Sequence, residues 1–199
     1  MIAIVDYGVG NLHSVASALQ YVGADTVVTA DAGEIARADG IILPGVGAFP
    51  DAAASLAATG LIPVIREEVQ KKPLLGICLG MQLLFTDSDE KRFCRGLDLI
   101  PGHIRRIETV EKLPQIGWNS LQVTNPCALT ARMRGGEYVY FVHTYMAYAD
   151  NPADVAAVTD YSACVTAMVR RGNVYGCQFH PEKSGEVGLD ILRGFCELM

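Results

Sequence analysis

The chain has 199 residues, of which 50% are hydrophobic and 19% are charged, and its formal net charge is −6. This length and composition predict a single domain with a large core that folds without a metal or a disulfide. The acidic balance and the lack of clustered Lys and Arg argue against nucleic acid or an anionic membrane as a partner.

Targeting and redox features of the sequence point to the cytoplasm. No apolar run approaches the ~20 residues of a membrane-spanning helix, and “MIAIVDYGVG” lacks the basic region and cleavage site of a signal peptide. The six cysteines stand at scattered positions without a CxxC pair, which indicates a reducing compartment and no metal site. Because “DYGVGN” lacks the third glycine of a dinucleotide fingerprint, we expect no cofactor.

The first half of the sequence alternates short apolar strands with helices. Strands are predicted at 1–5, 25–30, 39–45 and 73–77. Helices are predicted at 11–23, 31–38 and 51–72, the last broken at Gly60 or Pro63, and residues Met81 to Phe85 are predicted to be the start of a further helix. Strands separated by helices imply right-handed crossovers, and therefore a mainly parallel sheet with helices on both faces.

The second half is richer in strands with short breaks between them. They are predicted at 103–110, 119–124, 137–145, 154–161, 163–172 and 174–180, and a final helix is predicted at 185–199. Hairpin-length connections indicate that this half is partly antiparallel. The fold class predicted from these patterns is α/β, with one mixed, mainly parallel central sheet.

A cysteine stands where the fourth predicted strand meets a helix. Cys78 lies between Gly76 and Gly80, and this G-x-C-x-G pattern matches the nucleophile elbow of serine hydrolases with sulfur in place of oxygen. A helix N-terminus offers free N–H groups and a partial positive charge, which favour a thiolate. We expect the glycines to let the tight turn form and to let a substrate carbonyl approach. The alternative is a buried structural cysteine in a turn.

A thiolate nucleophile needs a base, and the best candidate among the four histidines is His180. Pro181 favours extended backbone at His180, so Glu182, two residues later, shares its side and can orient the imidazole. Cys78, His180 and Glu182 are therefore predicted as nucleophile, base and orienting group. His143 is predicted near a strand end close to the site, where a structural role and a working role both stay open.

Acyl transfer also needs donors for the oxyanion. One candidate is the backbone N–H of Leu79, which follows the nucleophile. A second could come from the glycine loop Pro44–Gly47, although an ordinary turn would have the same sequence.

Four segments of the sequence, in the order “PGVGAF”, “GICLGMQLLF”, “FVHTY” and “QFHPEKS”, resemble the class I (triad) glutamine amidotransferases. The segments “IVDYGVGNLHSV” and “PQIGWNSL” make the resemblance closest to the glutaminase subunits of imidazole glycerol phosphate synthase. It extends over residues 1–199 as one amidotransferase domain with a flavodoxin-like fold. It implies hydrolysis of L-glutamine through a Cys thioester, and transfer of ammonia to a (β/α)₈-barrel cyclase partner in histidine biosynthesis.

The resemblance also implies roles for individual residues. The implied triad is Cys78, His180 and Glu182. The implied oxyanion donors are Val46 and Leu79. The implied glutamine-binding positions are Gly47, Gln82, Glu90, Thr144 and Tyr145. The implied contacts with the cyclase are Trp118, Asn119 and Lys183. The chain departs from the family's usual residues at Thr86 and at Gln115–Ile116.

Other interpretations of the sequence stay open. A class I glutaminase could serve the synthesis of anthranilate, pyridoxal phosphate or purines instead. The chain could also be a non-catalytic regulatory member of the fold that kept the pocket, a cysteine peptidase, or a sulfur-based sensor. Release of ammonia from glutamine distinguishes a glutaminase from the last three.

Overall fold

Eight strands form the central sheet of the computed structural model, which describes residues 1–199. Five neighbouring strands run parallel, in the spatial order β2 (Thr26–Thr29), β1 (Ile2–Val5), β3 (Gly40–Gly45), β4 (Leu74–Cys78) and β14 (Val174–Cys177). Beyond β14 the sheet continues antiparallel with β13 (Cys164–Arg171), β12 (Val155–Asp160) and β9 (Gln122–Val123). The predicted mixed, mainly parallel sheet is therefore confirmed.

Helices cover both faces of this sheet. They are α1 (Leu12–Tyr21), α2 (Ala32–Arg37), α3 (Phe49–Ala58), α4 (Ile62–Glu68), α5 (Leu79–Leu83) and α6 (Gly185–Cys196). Ile41 and Leu43 of β3 belong to the hydrophobic cluster that contains side chains of α2 to α5, whereas Ile42 belongs to the cluster that contains α1 and α6. Alternate residues of a strand point to opposite faces of the sheet, so an apolar strand such as β3 has side chains buried on both faces. None of the helices has the length and apolar composition needed to cross a lipid bilayer.

Two smaller sheets lie outside the central one. Four strands form the first, in the order β11 (Tyr145–Ala149), β7 (Ile100–Arg106), β5 (Phe85–Ser88) and β6 (Cys94–Arg95). The second pairs β8 (Gln115–Ser120) with β10 (Tyr138–His143). The strand predicted at 137–145 is thus two strands in different sheets. The chain changes sheets at Thr144, where its carbonyl accepts a hydrogen bond from Ile107 N at 3.0 Å.

The break predicted within 51–72 lies at Gly60, between α3 and α4. Gly60 has φ +73°, a left-handed conformation that glycine adopts without strain. Pro63 lies in the first turn of α4, where its missing N–H removes no helical hydrogen bond.

The helix after Cys78 is shorter than its sequence suggests. α5 ends at Leu83, and Phe85, which we expected in the helix, begins β5. The carbonyl of Leu83 accepts a hydrogen bond from Leu97 N at 2.7 Å, and that of Leu84 accepts one from Leu99 N at 2.8 Å. These hydrogen bonds to a later part of the chain replace the helical ones. Long-range pairing, and not the local apolar pattern, therefore sets the end of α5.

Candidate active site

Cys78 occupies a strained position at the carboxyl end of the parallel sheet. It is the last residue of β4, directly before α5, with φ 54° and ψ −112°. Residues other than glycine rarely adopt this conformation, and it persists only where the surrounding structure imposes it. The corner has the strand–turn–helix form of a nucleophile elbow.

The glycines around Cys78 allow backbones to pack against each other. A Cβ atom on Gly80 would collide with the carbonyl oxygen of Leu43 in β3, and one on Gly76 would lie 2.7 Å from the backbone of Met81. α5 can therefore lie directly on β3 and β4 only if both positions lack a side chain. We expected these glycines to clear room for a substrate as well, but at these two positions the space is filled by neighbouring backbone.

His180 is buried next to Cys78 and held by several hydrogen bonds. Its Nδ1–H donates to Glu182 Oε1 at 2.8 Å, its backbone N–H donates to Tyr140 O at 3.0 Å, and Ser184 Oγ donates to its carbonyl at 2.6 Å. Its ring lines the same pocket as Cys78. Burial lowers the pKa of His180, but the interactions with Cys78 and Glu182 and their charges outweigh it. The pKa of His180 is thus raised from 6.5 to about 9.

A pocket of about 290 Å³ opens beside the cysteine and brings together most of the residues singled out from the sequence. It is lined by Val46, Gly47, Cys78, Leu79, Gln82, Glu90, Pro114, Val142, His143, Thr144, Tyr145 and His180. Both implied oxyanion positions and all five implied glutamine-binding positions are among them. Glu182 lies behind His180, with its side chain 1% exposed.

Val46 and Leu79 follow paired residues on neighbouring strands. Gly45 of β3 is the register partner of Cys78 on β4, so the next residue on each strand lies at the same edge of the sheet. Val46 is 43% exposed. Gly47, with φ +96°, has open space around the position a Cβ atom would take. The loop is therefore placed beside the sulfur without being packed tightly.

Two polar side chains of the pocket have defined partners. Gln82 Nε2 donates to Tyr145 O at 3.1 Å and to Gln178 Oε1 at 3.0 Å. Glu90 Oε2 accepts a hydrogen bond from Phe49 N at 2.8 Å. Since both N–H groups of Gln82 are engaged, its oxygen is the group left free for a ligand.

His143 is a pocket residue whose role the sequence left open. Its Nδ1–H donates to Tyr145 O at 2.8 Å, and its Nε2 is buried without a hydrogen-bond partner. Burial lowers the pKa of His143 to about 4, with repulsion from His180 adding to the effect and the hydrogen bond with Tyr145 opposing it. His143 is therefore neutral near pH 7. Its neighbours in “FVHTY” were the only signal of its place in the pocket.

Two of the three implied partner contacts, Trp118 and Asn119, lie on opposite faces of β8. Trp118 is 53% exposed on β8 and packs edge-on against Tyr140, with ring centroids 6.0 Å apart. Lys183 is exposed in the turn after His180. Asn119 is on the other face of β8, where it accepts from Gln115 Nε2 at 3.0 Å and donates to Asp160 O at 3.2 Å. Strand alternation explains why two consecutive residues face opposite ways.

Comparisons with known proteins agree with this geometry. Sequence relatives include “Imidazole glycerol phosphate synthase subunit HisH” from Bacillus thuringiensis (strain Al Hakam), 51% identical over 98% of this chain and 93% of its own, and the protein of the same name from Bacillus cereus (strain G9842), 52% identical with the same coverage. A solved glutamine amidotransferase superposes with a TM-score of 0.78 at 18% identity, covering 100% of this chain and 98% of its own. The structure of PurLQS from Thermotoga maritima gives 0.76 at 20% identity, covering 98% and 97%, and at these identities both likenesses show the fold alone. The family model for class-I glutamine amidotransferases matches residues 3–197, and the chain belongs to that family.

Proposed function

We propose that this chain is the glutaminase subunit of an imidazole glycerol phosphate synthase. It hydrolyses L-glutamine to glutamate and ammonia and delivers the ammonia to a cyclase partner in histidine biosynthesis. The observation that carries the chemistry is a strained Cys78 that shares a pocket with a buried His180, which is itself hydrogen-bonded to Glu182. The relatives that share about half of its residues over nearly the whole chain support the choice of synthase.

The reaction follows from the charge state of the pair. With a pKa of about 9, His180 is an imidazolium at neutral pH, which stabilises a thiolate on Cys78. The thiolate adds to the carboxamide carbon, and the oxyanion accepts hydrogen bonds from the N–H groups of Val46 and Leu79. The imidazolium then protonates the leaving nitrogen, and ammonia departs from a glutamyl thioester.

The second half of the reaction uses His180 as a base. Neutral His180 takes a proton from water, and the resulting hydroxide adds to the thioester carbonyl. The tetrahedral intermediate collapses to glutamate and the Cys78 thiolate, which restores the imidazolium–thiolate pair. Glu182 keeps the proton-bearing Nδ1 turned away from the sulfur, so Nε2 does the proton transfer at each step.

Glutamine is bound by the far wall of the pocket. Glu90 supplies the negative charge that suits the substrate α-ammonium, and its bond with Phe49 N fixes the carboxylate at the start of α3. The free oxygen of Gln82 offers a second acceptor, and the chain at Gly47, Thr144 and Tyr145 encloses the substrate.

The cyclase partner docks on the surface beside this pocket. Trp118, Ile116 and Tyr138 are large, more than half exposed and located on the paired strands β8 and β10. Such aromatic side chains suit interface anchors. Lys183 adds a charge at the edge, and Asn119 fixes β8 from its inner face. We propose that the partner is a (β/α)₈-barrel in the cytoplasm.

The test measures glutamate and ammonia formed from L-glutamine with the barrel cyclase present. Cys78→Ala should abolish both products, whereas Cys164→Ala, which alters an exposed cysteine, should leave them unchanged. Trp118→Ala should weaken the complex measured by gel filtration. Ammonia release that survives Cys78→Ala would disprove the assignment, and a complex only with a different synthase would change the acceptor.

A further inference from the structure

We propose that Gln178 is a further catalytic residue, whose side-chain N–H binds the sulfur of Cys78 and stabilises it as a thiolate. The inference rests on the proposed role of Cys78 as nucleophile. Gln178 Nε2 lies 3.8 Å from Cys78 Sγ, within the range of hydrogen bonds to sulfur, and the residue is fully buried. It therefore contacts the reacting atom directly.

The orientation of the Gln178 amide follows from a fixed point in the backbone. The carbonyl of Tyr145 can only accept, so the group of Gln82 that faces it must be the NH₂. The same NH₂ lies 3.0 Å from the Gln178 side chain, which must present its oxygen there. The NH₂ of Gln178 is left facing the sulfur. Because Gln178 is buried, water does not compete for its amide and the amide does not flip. The Cys78 sulfur therefore faces the NH₂ group both as a thiol and as a thiolate.

The position of Gln178 along the chain places it on the same side as His180. β14 ends at Cys177, and the chain then bends at residues 178 and 179, which brings both Gln178 and His180 beside the elbow. In the proposed mechanism His180 gives its proton to the leaving ammonia and takes another from water, so its charge changes during the reaction. The Gln178 N–H is a neutral donor that stays available to the sulfur throughout.

The other titratable groups around the sulfur do not replace this donor. Burial raises the pKa of both Tyr7 and Cys177, which keeps them neutral near pH 7. The Tyr7 hydroxyl donates to Pro44 O at 2.7 Å. Glu182 is bonded to the far side of the His180 ring. Gln178 is therefore the side chain that places a neutral donor within hydrogen-bond distance of the Cys78 sulfur.

The experiment follows the reaction of Cys78 with iodoacetamide as a function of pH, read by mass spectrometry of the Cys78 peptide. Only the thiolate reacts, so the profile reports its formation without any need for glutamine turnover. Gln178→Met keeps the length of the side chain but removes the donor. We expect alkylation at pH 7 to fall roughly tenfold, because a hydrogen bond to a charged group is lost. Gln178→Glu, which replaces the donor by a charged acceptor, should lower it further.

The matched control is Gln115→Met, which removes another fully buried amide whose partner is Asn119. It should leave the Cys78 profile unchanged. In glutaminase assays Gln178→Met should lower kcat about tenfold, because the amide contacts the reacting sulfur.

A wild-type alkylation profile in either Gln178 variant that retains the native circular dichroism spectrum would overturn the proposal. If the methionine variant does not fold, the nearly isosteric glutamate variant decides. Failure of the proposed function is a separate result. In that case the wild-type chain would form no ammonia, while the alkylation profile would still respond to Gln178.

Discussion

Two glycine-containing segments border the pocket, and they are built in opposite ways. At the elbow, Gly76 and Gly80 are packed so closely against neighbouring backbone that neither could carry a Cβ atom. In the loop after β3, Gly47 has open space around it and the adjoining Val46 is 43% exposed. The first segment uses glycine for close approach, and the second uses it for its left-handed conformation. The difference teaches that the proposed nucleophile is fixed by packing, whereas the loop that carries the proposed oxyanion donor is less tightly packed at Val46 and Gly47.

The largest effect should come from adding one methyl group to the fixed segment. Gly80→Ala drives a Cβ atom into the Leu43 carbonyl and should cost about 3 kcal/mol or more of stability, because backbone cannot move aside cheaply. Gly47→Ala meets no atoms and should cost only about 1 kcal/mol, from the strain of its φ of +96°. Urea unfolding of the two variants measures the contrast. Equal losses would mean that the elbow is no more rigid than the loop.

The fixed side of the pocket also includes His180, and replacing it should reduce turnover strongly. We expect His180→Asn to lower the rate of ammonia release about 10²- to 10⁴-fold, because proton transfer is lost at two steps. Glu182→Gln should cost about tenfold, since the imidazole remains and loses one charged partner.

The pH dependence of Glu182→Gln tests whether Glu182 acts through the pKa of His180. Glu182 is one of the groups that raise the pKa of His180 to about 9. Removing its charge should therefore move the alkaline limb of kcat/KM to lower pH. His13→Asn, at an exposed position, is the control. A harmless Glu182→Gln together with an inactive His143→Asn would show that the base had been misassigned.

Binding of the cyclase should change the rate through the loop at Val46 and Gly47. If the inactive orientation of the Val46 peptide dominates in the isolated chain, glutamine binds but reacts slowly. A shift in population from 1:99 to 99:1 requires roughly 5.5 kcal/mol of differential binding and would raise the rate about 100-fold. The measurement is ammonia production by the chain alone, with the cyclase, and with the cyclase plus its nucleotide ligand. Equal rates in all three would refute gating by this loop.

The sequence predicted the parts of the fold in which the local pattern agrees with the long-range structure. β1, β3 and β4 are continuous apolar runs between helices, so local pattern and global position agree, and the mainly parallel sheet was predictable. The elbow was predictable because its glycine spacing is local. α5 was expected to be longer because its end is set by carbonyl groups bonded to Leu97 and Leu99, which are distant in sequence.

Side-chain partners were the least predictable part of the site. Glu182 lies two residues from His180 and bonds its ring as predicted, although it does so from the 3-10 turn Pro181–Lys183 and not from the extended segment that the sequence suggested. Gln178 lies equally close to His180, but its contacts with Gln82 and Cys78 span 96 and 100 residues. No local pattern encodes such a contact. Asn119 and Trp118 are consecutive residues of β8, so strand alternation alone predicts that they face opposite sides.

The smallest effect concerns the backbone strain at Cys78, the proposed nucleophile, where the effects on function and on stability can be separated at a single residue. Cys78 has a backbone conformation that suits glycine, at a cost of about 1–3 kcal/mol for other residues. Cys78→Gly and Cys78→Ala both remove the thiol and should both be inactive. The glycine variant should nevertheless be more stable by about 1 kcal/mol, because relief of strain exceeds the additional chain entropy that glycine loses on folding. The control pair is Cys177→Gly and Cys177→Ala in β14, where the backbone is ordinary and the order should reverse. Urea unfolding of the four variants measures both differences. If glycine were the less stable substitution at both positions, Cys78 would not be held under strain, and the fixed side of the pocket would owe its rigidity to glycine packing alone.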